Sequence, residues 1–437
     1  MLALGIDFGT SGARAILLQK GQANAVDHPD SIVAEATHRF PDVGAASSVD
    51  GWVDALWSLL GAITPAIRAQ INRIAINGTS ATMLLCDRDG DVLTKPLLYN
   101  DASGRSALSD VRVIAPGDCS AVLSATSTLT KAMWLYRQGV PSVQSSEGVC
   151  LVHQADFLAY MLHRQRAVTD YHNALKLGYD VRALSYPDWL MRAPIASWLP
   201  SVVEPGSAIA PIDPAIAEKT GLRKDCQIHA GTTDSIAAFL ASGAYQSGEA
   251  VTSLGSTLVL KLLSHTPIDV PLFGIYSHRL GDLWLVGGAS NTGGAMLQQF
   301  FTPEQLTQLS DEIRAQIDLR HPSPLNYYPL NSPGERFPVN DPDYPPRLLP
   351  RPESDRDFLY GLLDAIARIE TDGYHKLAEL GAPELTQVYT AGGGAQNLTW
   401  QKIRQQRLGV TVTVAAQVEA AYGTAQLAMK GLGQFKA

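Results

Sequence analysis

The sequence predicts an α/β protein built as two domains, and three observations carry the prediction. Apolar strand-like runs alternate with segments of helical spacing along the chain. The 437 residues exceed what one hydrophobic core usually supports. A strand, a glycine-hydroxyl turn and a second strand open the chain, and the same scheme recurs near its middle. That recurrence hints at an ancient duplication.

Residues 2–19 read as "LALGID", the turn "FGTSG" and the strand "ARAILLQ". "WVDALWSLLGAITPAI" (52–67) has helical spacing, and "RIAING" with "ATMLLCD" gives strands around Gly78. Residues 122–180 are mostly helical in pattern. "QIHAGTTDSIAAFLASGA" (227–244) reads as an apolar strand, a small-residue turn and a helix. The second half opens with "GEAVTSLGSTLVLKLL", turning at 255–257, and continues into "DLWLVGGASNTGGAMLQQF". Residues 322–350 are Pro-rich, too irregular for a core element and too aromatic for a free linker. From 354 a long helix is expected, capped by Ser354, with Phe358, Leu362, Ile366, Ile369, Leu377 and Leu380 near one face and Gly381 at its end. "TQVYTAGGG" is a strand, "NLTWQKIRQQRLG" a helix, and "EAAYGTAQLAMKG" a helix of small residues.

Composition narrows the classes. Hydrophobic residues make up 46% of the chain and charged ones 17%, and the net charge is −8. No Lys/Arg-dense segment offers a footprint for nucleic acid. The densest basic stretch, "QKIRQQRLG" (401–409), reads as the solvated face of a helix. Cys86, Cys119, Cys150 and Cys226 are scattered singly, without a zinc or disulfide pattern, and fit reduced thiols. The N-terminus shows no secretory signal, and no apolar run approaches the ~20 residues that span a bilayer. A soluble, cytoplasmic protein without nucleic-acid or membrane partners is expected, as a monomer or homodimer.

The chemistry gathers at glycine turns. In "GIDFGTSGAR", Asp7 should end a buried strand, while Gly9 and Gly12 let the backbone approach a ligand. Exposed amides there, with the Thr10 and Ser11 hydroxyls and Arg14, suit a polyphosphate. A Walker A loop is excluded, because no Gly-Lys-Ser/Thr follows and a strand continues the chain. A plain hairpin remains an equal reading of this turn alone, and for "LGST" (254–257) alone it is the better one. "AGGGAQN" (391–397) joins a strand to a helix, but Asn397 stands where a dinucleotide fingerprint needs its third Gly, and Glu419 falls in a helix-like segment. In "HAGTTDS", Asp234 follows a strand and could point into a cleft or simply cap a helix. Two acids and several glycine-hydroxyl turns, all at strand ends, favour one composite nucleotide site over independent turns.

Taken in order, these blocks resemble the FGGY carbohydrate kinases, across essentially the whole chain. "DFGTSGARA" resembles the family's first phosphate loop, and "KAMWLYRQ" (131–138) its K-x-x-W-L segment, with Ala132 smaller than usual. "TDYHNA" (169–174), "HAGTTDS", "SPGERFPVNDP" (332–342), "AGGGAQN" and "EAAYGTAQLA" resemble further blocks. The resemblance implies the two-domain actin/sugar-kinase/Hsp70 ATPase fold, with ribonuclease H-like lobes and a cleft between them. The sugar-binding lobe would be 1–241, with a tail at 415–437 returning to it, and the nucleotide-binding lobe 242–414. ATP and Mg²⁺ are the implied cofactors. Asp234 would be the general base, and Asp7, with Asp234, would hold the metal. Thr10 would bind the transferring phosphoryl, with Ser11, Gly12 and Arg14 near the nucleotide phosphates. Gly255 and Ser256 would contact phosphate, and Gly294, Gln298, Gly393 and Asn397 would line the nucleotide pocket.

The sugar would meet Thr79, Ser80, Asp234 and Ser235. Glycerol kinases of the family show an Arg-Glu pair at Thr79 and Ser80, and xylulokinases a Gln-Met-His run at 79–81. Short neutral hydroxyls there suit an uncharged polyol or ketose. The resemblance is nearest the xylulose-kinase-like branch, which implies a ketopentose, D-ribulose before D-xylulose. Trp52 and Trp134 could flank the sugar or belong to the core. A non-catalytic sugar sensor or chaperone-like ATPase on the same fold is the rival reading, and a nicotinamide-dependent dehydrogenase a second.

Overall fold

Asp7 and Asp234 are placed by the way short apolar segments pair into sheets. The computed structural model describes residues 1–21, 30–117, 119–139 and 148–436. Contacts divide the chain into two units, Met1–Ala241 with Glu419–Gln434, and Ser242–Val418 with the last few residues.

The first unit contains β1 (Leu2–Phe8), β2 (Gly12–Gln19), β3 (Ser31–Arg39), β4 (Ile71–Gly78), β5 (Met83–Cys86), β6 (Cys150–His153), β7 (Val168–Asp170), β8 (Ser201–Val203), β9 (Ala208–Pro211) and β10 (Gln227–Thr233). One sheet runs β3-β2-β1-β4-β10-β9, and β5-β6 and β7-β8 pair separately. Segment 122–180 therefore departs from its helical expectation. Its helices Thr128–Gln138 and Gln154–His163 are interrupted by β6 and β7, because "CLVH" pairs across to "MLLC".

The second unit contains β11 (Glu249–Leu254), β12 (Leu258–Ser264), β13 (His278–Leu280), β14 (Leu283–Ser290), β15 (Gln387–Ala391) and β16 (Thr411–Val414), in the order β13-β14-β12-β11-β15-β16. The two sheets share a plan. In each, three strands form an antiparallel meander, a fourth joins the first in parallel, and a fifth joins the fourth in parallel. The doubled hairpins of the sequence are thus doubled topology.

Small residues explain how the returning helix Ala420–Lys430 lies on the first sheet. A Cβ at Gly5 would sit 2.1 Å from the Ala421 carbonyl oxygen, so only glycine lets the helix cross β1 there. On its other side, a Cβ at Gly423 would meet the Ala237 carbonyl at 1.9 Å, in the helix Asp234–Ala241. Arg73 closes the helix by donating to the carbonyls of Ala428 and Met429, at 3.1 and 3.0 Å. The return begins at Glu419, where 415 was expected, and ends at Gln434.

The Pro-rich segment 322–350 is neither linker nor regular element. Tyr327, Tyr328, Leu330 and Phe337 bury themselves in the second core beside the helix Asp355–Glu379, which Ser354 caps by accepting from Asp357 N at 3.2 Å. Glu335 pins the segment by accepting from Ser290 Oγ (2.5 Å), Asn291 N (2.8 Å) and Tyr328 OH (2.9 Å). One expectation holds only in part in this unit. On the helix Leu398–Leu408, Lys402, Gln405 and Gln406 do face solvent, but Arg404 is 1% exposed and its guanidinium grips Glu370. Trp52 likewise belongs to the core, fully buried, with its indole N–H on the Ala46 carbonyl, and Trp134 packs against another core cluster.

Candidate active site

Parallel pairing brings the two acids to one sheet edge. In register, Phe8 lies beside Gly78 and Gly78 beside Thr233, so β1, β4 and β10 end together. Asp7 sits one residue inside that edge and Asp234 one residue beyond it. In sheets with parallel strands, such carboxyl ends are where ligands gather. Asp234 opens its helix, and its Oδ1 accepts from Ser235 N at 2.7 Å.

Asp7 occupies a costly position. Its Oδ1 is buried and accepts no hydrogen bond among the described residues. Burial, then the charges of Asp234 and Glu419, push its carboxyl up to about 7, against the pull of Arg14. Arg14 stands directly across the β1–β2 ladder from Asp7 and forms an ion pair with Glu419 at the start of the returning helix. The sequence reading assigned Arg14 to phosphates and gave Glu419 no place at this edge. No local signal marked Glu419, because its position depends on a helix returning from the far end of the chain.

The turn after Asp7 opens into a cleft of about 410 Å³ in the first unit. Thr10, Ser11 and Thr79 line it, and so do Tyr99, Asn100 and Gln154, which the sequence did not single out. Ser80, Asp234 and Ser235 are not among its lining residues. Gly12 is required by crowding, since a Cβ there would meet the His38 carbonyl of β3 at 2.4 Å. Lys131, of the K-x-x-W-L segment, is fully buried and donates to the carbonyls of Ala81 (2.7 Å) and Leu98 (2.8 Å), tying the turn after Thr79 to the Leu98 side of the cleft.

A second cleft, of about 590 Å³, lies wholly in the second unit. Gly255, Ser256, Gly294, Gln298, Gly393 and Asn397 all line it, so all six second-half positions read from the sequence meet in one place. The β11–β12 turn is stitched to the helix Gly294–Gln298, with Gly294 N donating to the Gly255 carbonyl at 2.8 Å. Gly392 has φ +83°, and a Cβ there would meet the Leu254 carbonyl at 2.7 Å. Gly393 differs, for a Cβ there would meet nothing within 4 Å. Asn397 caps the helix Leu398–Leu408 by accepting from Trp400 N (2.9 Å) and donates to Ser310 Oγ (2.8 Å). The wall containing Ser310, the helix Pro303–Gln316, was not anticipated.

Comparison with known proteins decides the family. Residues 2–241 match the N-terminal domain model of the FGGY family of carbohydrate kinases, and residues 250–432 match its C-terminal domain model. The chain belongs to the FGGY family. Among FGGY relatives, a xylulose kinase of Bacillus subtilis is 25% identical over 99% of this chain and 89% of its own length. A xylulose kinase of Escherichia coli is 23% identical over 97% of this chain and 89% of its own. Among solved structures, xylulose kinase from Rhodospirillum rubrum superposes with a TM-score of 0.79 at 20% identity, covering 100% of this chain and 91% of that one. Plasmodium falciparum glycerol kinase with ADP gives 0.79 at 15% identity, covering 100% and 90%. The fold is that of the FGGY sugar kinases within the actin/Hsp70-like ATPase class, and the activity class is carbohydrate kinase. No helix among the described residues is long and apolar enough to cross a membrane.

Proposed function

We propose that this kinase transfers the γ-phosphoryl group of ATP to a hydroxyl of a ketopentose, D-ribulose ahead of D-xylulose. The observation that carries the reading is the shared strand edge of Asp7 and Asp234, where burial and like charge raise the Asp7 carboxyl. Phosphoryl transfer asks for positioning and charge neutralisation more than for covalent chemistry.

Asp234 takes the proton from the attacking sugar hydroxyl, a role worth typically ~10²–10⁴-fold. Thr10 and Ser11, in the turn after Asp7, orient the phosphoryl, with the Gly12 backbone and Arg14 beside them. The glycine-lined cleft of the second unit takes ATP, with Gly255 and Ser256 toward the phosphates and Gly294, Gln298, Gly393 and Asn397 around the remainder. Asp7 suits Mg²⁺. Its buried oxygen, which accepts no hydrogen bond among the described residues, is available to a cation. Mg²⁺ is usually bound through one or two carboxylates together with substrate phosphates, and here Asp7 and Asp234 would be those carboxylates. Mg²⁺ would supply neutralisation of the phosphate charge.

Ser80 and Ser235 serve the sugar, and Thr79 lines the cleft of the first unit. The names of the relatives support a ketopentose. The short neutral side chains at 79 and 80, in place of the xylulokinase-like Gln-Met-His run, favour D-ribulose. An ATP-consumption screen over D-ribulose, D-xylulose, L-ribulose, glycerol and other polyols tests the reading. ATP hydrolysis at one rate with and without every ketopentose would make the chain a non-catalytic sugar sensor or chaperone-like ATPase.

A further inference from the structure

Thr79 was expected to offer its hydroxyl to the sugar, but that hydroxyl is engaged. Its Oγ1 lies 2.6 Å from Thr82 Oγ1 and donates to Gln154 Oε1 at 3.0 Å. Thr79 N donates to the same oxygen at 3.0 Å. A backbone N–H can only donate, so the accepting atom of Gln154 is its oxygen and the orientation of the amide follows. Nε2, with both hydrogens, is left without a protein partner among the described residues, although Gln154 is only 3% exposed and lines the cleft with Thr10, Ser11, Tyr99 and Asn100. The amide is also held sterically. It packs so close to Gly78 that a Cβ there would meet Oε1 at 2.9 Å, and Gln154 N donates to the Thr82 carbonyl at 3.1 Å.

A donor held in one orientation, open only to the cleft and left unbonded by the protein, is placed to meet an acceptor oxygen of a ligand there. We infer that Gln154 is a specificity-determining residue whose Nε2 donates to the carbonyl oxygen of a keto sugar, distinguishing the ketose from its polyol. The inference rests on the ketopentose kinase reading above. A carbonyl oxygen has no proton of its own to place, whereas a hydroxyl at the same point must direct its proton to another acceptor. The preference is therefore for the oxidised sugar.

The test is steady-state phosphorylation of D-ribulose against ribitol, and of D-xylulose against xylitol, by wild type, Gln154→Glu and Gln154→Leu. The carboxylate introduced by Gln154→Glu would keep an oxygen for Thr79 while replacing the donor by an acceptor, so Q154E separates recognition from support of the 79–82 loop. KM for the ketose should rise about tenfold in both variants, with kcat within about twofold and ketose-over-polyol preference falling by a similar factor. An unchanged ketose-over-polyol ratio in Q154E, whether both substrates weaken together or neither does, overturns the assignment. If Q154L fails to fold, Q154E alone decides. A wild type that phosphorylates no ketopentose overturns the underlying reading and this inference with it. A wild type that does so, with unaltered selectivity in Q154E, overturns this inference alone.

Discussion

Arg404 and Glu370 form a two-bonded ion pair sealed inside the second unit, with Nε–Oε2 at 2.6 Å and Nη2–Oε1 at 2.7 Å. Both side chains are at most 1% exposed. Arg404 Nη1 also donates to Thr390 Oγ1 of β15, and Glu370 accepts from Thr252 Oγ1 of β11, so the pair links two helices to two strands. Removing one partner leaves a buried charge uncompensated. Glu370→Ala should cost about 3–5 kcal/mol in urea unfolding, while the double replacement Glu370→Leu/Arg404→Met should cost clearly less. Equal losses in the single and double variants would show that the pair's mutual compensation is not what holds the site.

The acids at the strand edge predict a division between chemistry and stability. Asp234→Asn should lower kcat by ~10²–10⁴-fold while leaving ATP affinity within about twofold. Asp7→Asn should also lose activity, yet melt at a higher temperature than wild type at pH 8, because it removes a buried carboxylate facing Asp234 and Glu419. Substantial residual transfer by Asp234→Asn removes that residue from the base role. A lower melting temperature for Asp7→Asn contradicts the electrostatic account of the edge.

Neighbouring glycines in "AGGG" should fail differently. Gly393→Val adds a side chain toward open space, so the protein should fold with wild-type stability and lose nucleotide affinity at least about tenfold. Gly392→Ala meets the Leu254 carbonyl at a positive φ and should destabilise by about 1–3 kcal/mol. Isothermal titration with ADP and denaturant melts separate the two. Undiminished ADP binding by Gly393→Val would place the nucleotide elsewhere.

A buried histidine sets part of the acid response. His163 is 5% exposed, and its Nδ1 accepts from Gln165 N at 2.8 Å. Burial first, and the Arg164 charge second, hold it down to about 4. The unfolded chain therefore takes up this proton first as pH falls, so the stability is present above about 6.5 and drains away toward 4. Between pH 7.5 and 5.0 this group should remove about 2 kcal/mol. His163→Asn, which retains an acceptor without titrating, should show a shallower decline in urea unfolding. Parallel declines in the two proteins would assign the acid sensitivity to other groups.

Much of the site was legible because its parts are local. Glycine turns at strand ends follow from sterics within a few residues, and the six second-half positions needed only their own turns to meet in one cleft. Alternation of apolar runs likewise determined the α/β class, and hydrophobic spacing with Ser354 marked the long helix. Tertiary structure alone decided which polar groups were already engaged. Thr79 and Gln154 are 75 residues apart, and Arg404 and Glu370 34. Arg14 meets Glu419 only because a helix near the end of the chain returns to the first sheet. A hydrogen bond or ion pair between distant segments leaves no periodicity in the chain. Hydroxyl and guanidinium groups that read as available to ligand or solvent were instead bound where the folded backbone brought their partners.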